Sequence, residues 1–536
     1  MATRRTWATL AAVLVSVAVL ASGCGGSKRG NASTATSTQG KPVAGGTLDY
    51  GLMGETSGWD PSKAQWVGSG YQVANAIFDP LMVYDAKNNV VPYLAKSLTS
   101  NKDYTVWTLK LRPGVKFHDG TTFDASAFKT NIEAHQHSIF TAPTVRPISA
   151  VKVIDPLTAE IHMSTPWATF PHILTAQPGY MAAPSMLADP KGNSNPVGTG
   201  PFTFVSWSVG NELVVKKNPH YWRKGLPYLD KIVYHVITDD NARVNSLAGN
   251  QVQAIETFDA KSIIDLRKQA DQGSLQLESS TGENTETLVS FNMSKAPFDD
   301  ILARKAVVYA IDTDTISKTV YHGEFPPARG IFETSSPWYT ETSYPHFDLA
   351  KAKEFAKQYE AKYGHKLTFT ANIIPQPNIQ LIAQLLKEQL KNAGIDAKLN
   401  TLDQTQLILK LVGGQYEASG FILFGSPHMD RERVFLDPAN ASGAITLNFA
   451  RNTDPAIGRA LDAMRTTSNL QLQIDAFKKV QDRLAVDLPY AFVVHNHSAH
   501  AAKNNVHDLE DWKTPDGVQG SKDNGTAPPV FQVWVS

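Results

Sequence analysis

Cysteine is nearly absent from this sequence of 536 residues, in which Cys24 is the only one. The chain therefore cannot form an internal disulfide, and a fold held by disulfide bridges is excluded. Neither sign of charge prevails, because 50 basic residues balance 50 acidic residues. Since no segment is rich in lysine and arginine, we do not expect a nucleic acid as a partner.

Familiar catalytic and phosphate-binding motifs are missing as well. The chain contains no Gly-x-Ser-x-Gly, Gly-x-x-x-x-Gly-Lys, His-Glu-x-x-His or Cys-x-x-Cys. These patterns place a serine nucleophile, a phosphate cradle, a pair of zinc ligands or a redox dithiol. We therefore expect a protein that is not an enzyme and needs no cofactor. The alternative, an enzyme, would be supported by turnover of a peptide or an ester by the purified protein.

Long apolar runs are confined to the N-terminus. A basic start, "MATRR", precedes the uncharged run "WATLAAVLVSVAVLA", and small residues follow. This order is typical of a secretory signal peptide, which we predict for residues 1–23. The run is short for a membrane span, although an uncleaved anchor helix is the alternative. We expect the rest of the chain to be exported and soluble.

The residues around Cys24 predict how the exported protein is attached to the membrane. Ala21, Ser22 and Gly23 directly before Cys24 resemble a bacterial lipobox. This resemblance implies cleavage before Cys24 and a lipid on its thiol. Residues 24–45 are rich in Gly, Ser and Thr, so they cannot bury enough apolar surface to fold, and we predict a flexible tether. The protein is expected on the outer face of the cytoplasmic membrane, in the periplasmic or cell-wall space.

Hydrophobic periodicity indicates a mixed α/β protein. Residues 104–111 alternate, which is typical of a half-buried strand. Residues 367–374 form another apolar strand, and a helix follows with its apolar residues on one face. Gly394 lies where this helix should end, and "IDAKL" resumes as a strand. Strand, helix and strand in this order predict a parallel sheet covered by helices.

The stretch "LRPGVKFHDGTTFDASAFKTNIEA" (111–134) combines an arginine, a histidine and two aspartates. Pro113-Gly114 and Asp119-Gly120 are turn signals, with "VKF" between them as a short strand that pairs with 104–111. Asp124 precedes an amphipathic run and is a natural helix N-cap. We therefore interpret these polar residues, including His118, as structural rather than catalytic.

Four segments together resemble the extracellular solute-binding proteins of family 5, the dipeptide-, oligopeptide- and nickel-binding components of ABC importers. They include the stretch just described and occur in the family's order. The segments are "VVPYLAKSLTSNKDYTVWTLKLRPGVKFHDGTTFDASAFKTNIE" (90–133), "NPVGTGPFTFVSWSVGNELVVKKNPHYW" (195–222), "FNMSKAPFDDILARKAVVYAID" (291–312) and "LPYAFVVHN" (488–496).

The resemblance implies a two-lobed periplasmic-binding-protein type II fold with an inserted third subdomain. Lobe I would comprise residues 46–78, 195–286 and 491–536. The inserted subdomain would comprise 79–194, and lobe II would comprise 287–490. The chain would cross between the lobes near Thr287 and Tyr490.

The resemblance also implies the function. The protein would capture an oligopeptide-like solute between its lobes and deliver it to the permease and ATPase subunits of an importer, acting as a monomer. Two alternatives stay open, namely a sugar-like or neutral ring compound and a metal chelate such as one of nickel.

The expected ligand contacts depart from the family's pattern. Peptide-binding relatives have a segment resembling Trp-x-x-Asp-Tyr whose aspartate receives the peptide ammonium, since a buried cation needs a paired charge. The matching segment here has Pro427 at the position of the aspartate, and Asp430 could substitute only if the loop is reshaped. The predicted ligand-binding residues are Gln65, Trp66, Trp338, Phe424, Gly425, Ser426, His428 and Asp430.

Two groups of histidines raise the question of metal binding. His495, His497 and His500 lie close together in sequence, as do His135 and His137. Alternate residues of a strand share a face, so His495 and His497 could both contact a metal ion. A polar strand edge is the simpler interpretation, and we assign no metal ligands.

Overall fold

The structure of the protein is a computed structural model that describes residues 40–66, 68–280, 285–522 and 527–536. The predicted signal peptide, the lipidation site at Cys24 and most of the predicted tether lie outside the described residues. Within the described ranges, no helix is both long enough and apolar enough to cross a membrane.

The elements alternate between strands and helices, which confirms the mixed α/β class. The strands are β1 Thr47–Leu52, β2 Met82–Tyr84, β3 Val90–Pro92, β4 Ala95–Ser100, β5 Val106–Leu111, β6 Ile148–Asp155, β7 Thr158–Met163, β8 Phe202–Ser208, β9 Glu212–Lys217, β10 Lys231–Val236, β11 Ala254–Thr257, β12 Gln276–Ser280, β13 Thr285–Phe291, β14 Thr368–Ile373, β15 Asp396–Thr401, β16 Ala418–Phe424, β17 Tyr490–His495, β18 Ser498–Ala502, β19 Val506–His507 and β20 Trp534–Val535. The helices are α1 Gly68–Ile77, α2 Ala125–Gln136, α3 Ala142–Val145, α4 Phe170–Ile173, α5 Pro184–Ala188, α6 Asp240–Ala248, α7 Ala260–Asp271, α8 Ile301–Ala310, α9 Thr313–Val320, α10 Leu349–Tyr363, α11 Pro377–Asn392, α12 Gln404–Val412, α13 Arg433–Leu436, α14 Pro455–Arg465 and α15 Leu470–Asp487.

Two large sheets organise the molecule. The seven-stranded sheet has the order β12-β18-β11-β1-β10-β9-β8, and its central strand β1 runs parallel to both β10 and β11. The five-stranded sheet has the order β15-β14-β16-β13-β17. In this sheet β14, α11 and β15 form the predicted strand-helix-strand unit, because β14 and β15 pair in parallel. Gly394 follows α11 with a φ of +82°, a backbone conformation that glycine adopts without strain.

The chain passes between the two large sheets twice. One passage joins β12 to β13, and the other joins β17 to β18 across Asn496 and His497. The expected boundary after Tyr490 therefore needs correction, because β17 pairs antiparallel with β13 and belongs to the five-stranded sheet. The other boundaries given for the lobes and the inserted subdomain stay predictions.

The stretch 111–134 begins at the last residue of β5, which belongs to a four-stranded sheet with the order β4-β5-β7-β6. Asp124 is the N-cap of α2, where its carboxylate accepts a hydrogen bond from the Ala127 amide at 2.9 Å. The prediction for "VKF" is wrong, since Lys116 pairs with Thr122 rather than with β5. The turn at Asp119-Gly120 folds the chain directly back on itself, which makes Thr122 the nearer partner.

The same stretch is tied to the "GTGP" segment. His118 is largely buried, and its Nε2 lies 3.0 Å from the carbonyl oxygen of Gly200. Burial lowers the pKa of His118 to about 4, so the imidazole is neutral at physiological pH. A side chain at Gly198 would strike the Ile77 carbonyl, which explains why only glycine fits there. The polar residues of 111–134 thus stabilise turns, cap a helix and form a packing contact.

Candidate functional site

A cavity of about 880 Å³ is lined by residues of both large sheets. Its volume falls within the range of roughly 300–1,000 Å³ that ligand pockets span. One wall contains residues next to the seven-stranded sheet and α1, among them Gly54, Ser69 and Phe258. The opposite wall contains Thr287 of β13 and Ile422 of β16. The cavity therefore lies where the two sheets face each other.

Part of the cavity is apolar. It continues along the five-stranded sheet beneath α11, where Ala371 of β14 and Leu399 of β15 line one side. Ile382 and Leu386 of α11 line the other side. Apolar walls with a few polar groups are typical of sites for small organic ligands, because burial supplies affinity and polar groups supply orientation.

Two carboxyl groups on the first wall already have partners. Glu256 accepts hydrogen bonds from the Met53 amide and the Ser69 hydroxyl, and burial raises its pKa. Glu55 accepts hydrogen bonds from the indole of Trp207 at 2.5 Å and from the Gly210 amide at 2.7 Å. Both hydrogen bonds to Glu256 reach its Oε1, whereas those to Glu55 are divided between its two oxygens.

Two charged residues that the sequence interpretation missed, Arg431 and Glu432, line the opposite wall. Glu432 is only 7 % exposed, and burial raises its pKa to about 7 even though the charge of Arg431 lowers it. Nη1 of Arg431 is buried without a hydrogen-bond partner among the described residues. Both residues directly follow Asp430, the last of the predicted ligand-binding residues. This position in the sequence could have identified them as cavity residues.

Three of the predicted ligand-binding residues, Gln65, Trp66 and Gly425, lie at the cavity. Trp66 is also part of the core, since its indole donates to the Gly58 carbonyl at 3.2 Å and stacks on Phe78. Phe424 is the last residue of β16, and its side chain lies outside the described part of the structure.

The remaining predicted residues point into the protein rather than into the cavity. Ser426 donates to the backbone carbonyl of His428, and the His428 ring stacks on His172 with centroids 3.7 Å apart. Burial lowers the pKa of His428 to about 4. Trp338 contacts His428 edge-on and packs against Phe477. The rings of His428 and Trp338 thus pack within the protein, and neither residue lines the cavity.

The carboxylate of Asp430 forms hydrogen bonds within the protein. Its carboxylate accepts hydrogen bonds from Arg465 at 2.6 Å, Trp167 at 2.5 Å and Thr169 at 2.7 Å. Burial by itself would raise the pKa of Asp430, but the charge of Arg465 and these hydrogen bonds outweigh it and lower the pKa. The carboxylate is therefore ionised and hydrogen-bonded within the protein, and Asp430 is buried and does not line the cavity.

The histidines that were considered as metal ligands each bond to a different partner. Nδ1 of His495 lies 3.0 Å from Glu286, and Nε2 of His497 lies 2.8 Å from Glu333. His500 bonds instead to the hydroxyl of Tyr50. His135 bonds to Thr141, and His137 bonds to the carbonyl of its own helix. Among the described residues, no group of three or more metal-binding side chains is arranged around one point.

The fold and the cavity define a two-lobed binding protein that encloses a solute between its sheets. Residues 89–439 match the family described as bacterial extracellular solute-binding proteins, family 5. Since the match covers more than half of the chain, the protein belongs to this family of ABC-importer solute-binding proteins. The type II periplasmic-binding fold expected from the sequence is thereby confirmed.

Individual relatives illustrate the range of solutes in the family. The chain is 28% identical over 441 residues to the glutathione-binding protein GsiB of Pectobacterium atrosepticum, covering 78% of this chain and 83% of the relative. It is 26% identical to AgaA from A. tumefaciens R10, solved with agropinic acid, with a TM-score of 0.79 over 92% of this chain and 99% of AgaA. DppA from Helicobacter pylori, solved with the peptide STSA, shares the fold at 22% identity with a TM-score of 0.79, covering 92% and 98%.

Proposed function

We propose that this protein captures an oligopeptide-like solute in the cavity between its two large sheets and delivers it to the permease and ATPase of an ABC importer. The observation that carries the proposal is the cavity itself, whose walls come from both sheets and whose volume suits a ligand of a few residues. The relatives named for glutathione binding support a small peptide as the solute.

The two passages of the chain between the sheets support capture by closure. A solute that contacts both walls binds the closed arrangement more tightly than the open one, and this difference in affinity drives closure. The segment that joins β17 to β18, Asn496 and His497, would take up the change in backbone angles. We propose that the protein acts as a monomer and performs no chemistry on its ligand.

A non-peptide solute is the second candidate. It is supported by the likeness to AgaA and by Pro427, which has no anionic group for a peptide ammonium. The apolar continuation beneath α11 would suit a ring or an aliphatic chain. A metal chelate receives no support from the histidines, because each of them has another partner.

Mass spectrometry of the solute released from purified, denatured protein tests the proposal. We expect one species or a narrow set of species with the masses and fragments of small peptides. A sugar derivative or another compound without an amide bond would exclude the peptide proposal and favour the second candidate. Protein that was unfolded, washed and refolded before analysis provides the matched blank.

We also propose that the exported protein is anchored by a lipid on Cys24 and lies on the outer face of the cytoplasmic membrane. Replacing Cys24 with serine removes the thiol that would carry the lipid, so we expect the variant to move from the membrane fraction to the soluble fraction. Cell fractionation with labelled fatty acid measures both properties. A wild-type protein that carries no label yet fractionates with the membrane would contradict the lipid anchor.

A further inference from the structure

One face of the five-stranded sheet forms the floor of the apolar part of the cavity. The lining residues of β14 are Phe369, Ala371 and Ile373, and those of β15 are Ala397 and Leu399. They alternate along both strands, and alternate residues of a strand project on the same side. The register agrees, since Phe369 pairs with Ala397 and Ala371 pairs with Leu399. The floor is therefore a continuous apolar surface.

One face of α11 forms the roof. Ile379, Ile382, Leu386 and Leu390 line the cavity at intervals of three and four residues, which places their side chains on one side of the helix. Lys387 also lines the cavity, and its stem is apolar while its ammonium group can stay in water. From Ile379 to Leu390 the helix advances about 16 Å. We call the space between floor and roof the apolar chamber, and it is longer than an amino-acid side chain.

The apolar chamber is not filled by the side chains around it. Ala371 and Leu399 remain half-buried, although both lie in the sheet beneath α11. Ala371 and Ala397 of the floor and Ala383 of the roof contribute only methyl groups. A helix on a sheet normally packs with few voids larger than a water molecule. The chamber therefore has room for a ligand group, and an apolar group is favoured because a polar group would lose its hydrogen bonds to water there.

The apolar chamber is continuous with the space between the two large sheets. Ala371 pairs with Ala418, so Gly420 and Ile422, which follow along β16, project on the same side as the floor. Gly420 has no side chain that could separate the two spaces, and the nearest atoms to an added Cβ would be 3.8 Å away. Ile422 is 47 % exposed. The entrance thus offers an apolar surface that a bound solute would cover.

We propose that the solute carries an unbranched aliphatic chain and that this chain lies in the apolar chamber beneath α11, with the rest of the solute between the two sheets. The inference rests on the proposed capture of a peptide-like solute in the cavity and names its class as an acylated or alkylated peptide. The length of the chamber favours a chain over an ordinary side chain, and its apolar floor and roof supply affinity through burial.

Two series of peptides test the chain in the wild type. Trialanine is prepared with an N-terminal acyl chain of two, six or ten carbons, and separately with a C-terminal alkyl amide of the same lengths. Calorimetry below the concentration at which the probes aggregate measures the affinities. In one of the two series, we expect the affinity to rise about threefold to fourfold for each methylene that becomes buried.

Two variants test where the chain lies. Gly420→Phe places a ring at the entrance, and Ala371→Leu fills part of the floor. Within each variant, the ratio of the ten-carbon affinity to the two-carbon affinity is compared with that of the wild type. We expect this ratio to fall towards one in Gly420→Phe and to be reduced in Ala371→Leu. Gly330→Phe adds the same ring outside the cavity and should keep the wild-type ratio.

Thermal unfolding verifies that the variants are folded, and the wild-type series decides the matter if one of them is not. Affinities that do not change with chain length, while the two-carbon peptides bind, would overturn the chamber as a chain site and leave peptide capture intact. If none of the peptides binds, peptide capture fails, and 1-butanol, 1-hexanol and 1-decanol then test the chamber alone. Binding that strengthens with alcohol length and is lost in Gly420→Phe would support the chamber, and the absence of such binding would overturn it.

Discussion

Replacing Asp430 with alanine is expected to lower the free energy of unfolding by about 3–5 kcal/mol, the usual cost of removing one partner from a buried ion pair. The loss would leave the guanidinium of Arg465 buried without its carboxylate and would remove acceptors from Trp167 and Thr169. Urea denaturation at pH 7 measures the difference. Binding of the solute should weaken only through the lower stability, because Asp430 does not line the cavity.

Asp462→Ala is the matched control for this prediction. Asp462 also pairs with an arginine, Arg433, at 2.6 Å, but its side chain is 69 % exposed. Exposed pairs contribute about 0–1 kcal/mol, so this variant should remain close to the wild type. A loss of less than about 1 kcal/mol in Asp430→Ala would show that the buried contact does not stabilise the fold.

The stabilisation by Asp430 also has a defined dependence on pH. Its pKa is lower in the folded protein than the ordinary value of about 3.9 in the unfolded chain. The unfolded chain therefore binds the proton more readily, and the contribution is complete above about pH 4. It is lost as the pH falls through the lowered pKa of the folded state. Below this range the difference between Asp430→Ala and the wild type should shrink.

Replacing Gly68 with tryptophan is expected to weaken binding of the solute about tenfold to a hundredfold while the protein stays folded. Gly68 lines the cavity at the start of α1, and a Cβ there would meet only a Phe258 ring atom at 3.9 Å. The indole would therefore occupy space that the solute needs. Overpacking a filled site costs about 1–3 kcal/mol, and each 1.4 kcal/mol is a tenfold change in Kd. Calorimetry with the solute that co-purifies with the wild type measures the loss.

Gly330→Trp controls for the effect of adding an indole. A Cβ at Gly330 would contact nothing within 4 Å, and the residue does not line the cavity. The control should bind the solute with wild-type affinity. Undiminished binding by a folded Gly68→Trp protein would place the solute elsewhere and would remove the main support for the proposed function.

The ligand-binding segment shows how far local sequence can be interpreted. The segment after β16 was predicted to contact the solute without a counter-charge unless Asp430 reached it. Gly425 does line the cavity, but the chain then turns inward, and the next side chains to line the cavity are those of Arg431 and Glu432. A loop that turns changes which residues face a cavity, and sequence spacing alone does not reveal such a turn.

The sequence by itself determined the features that depend on neighbours along the chain. Alternation and helical periodicity established the β14-α11-β15 unit, and the cap at Asp124 followed from residue type and position. Such features arise from hydrogen bonds and backbone preferences within a few residues, which the local sequence contains.

Tertiary structure alone decided what the polar side chains do. Asp430 is satisfied by Trp167 and Thr169, which precede it by 263 and 261 residues, and His497 is paired with Glu333. Burial raises the pKa of Glu432, and the neighbouring charge of Arg431 lowers it only in part. Whether a charge is paired or free depends on which distant segments pack against it, and that arrangement follows from burial of the whole core rather than from any short stretch of sequence.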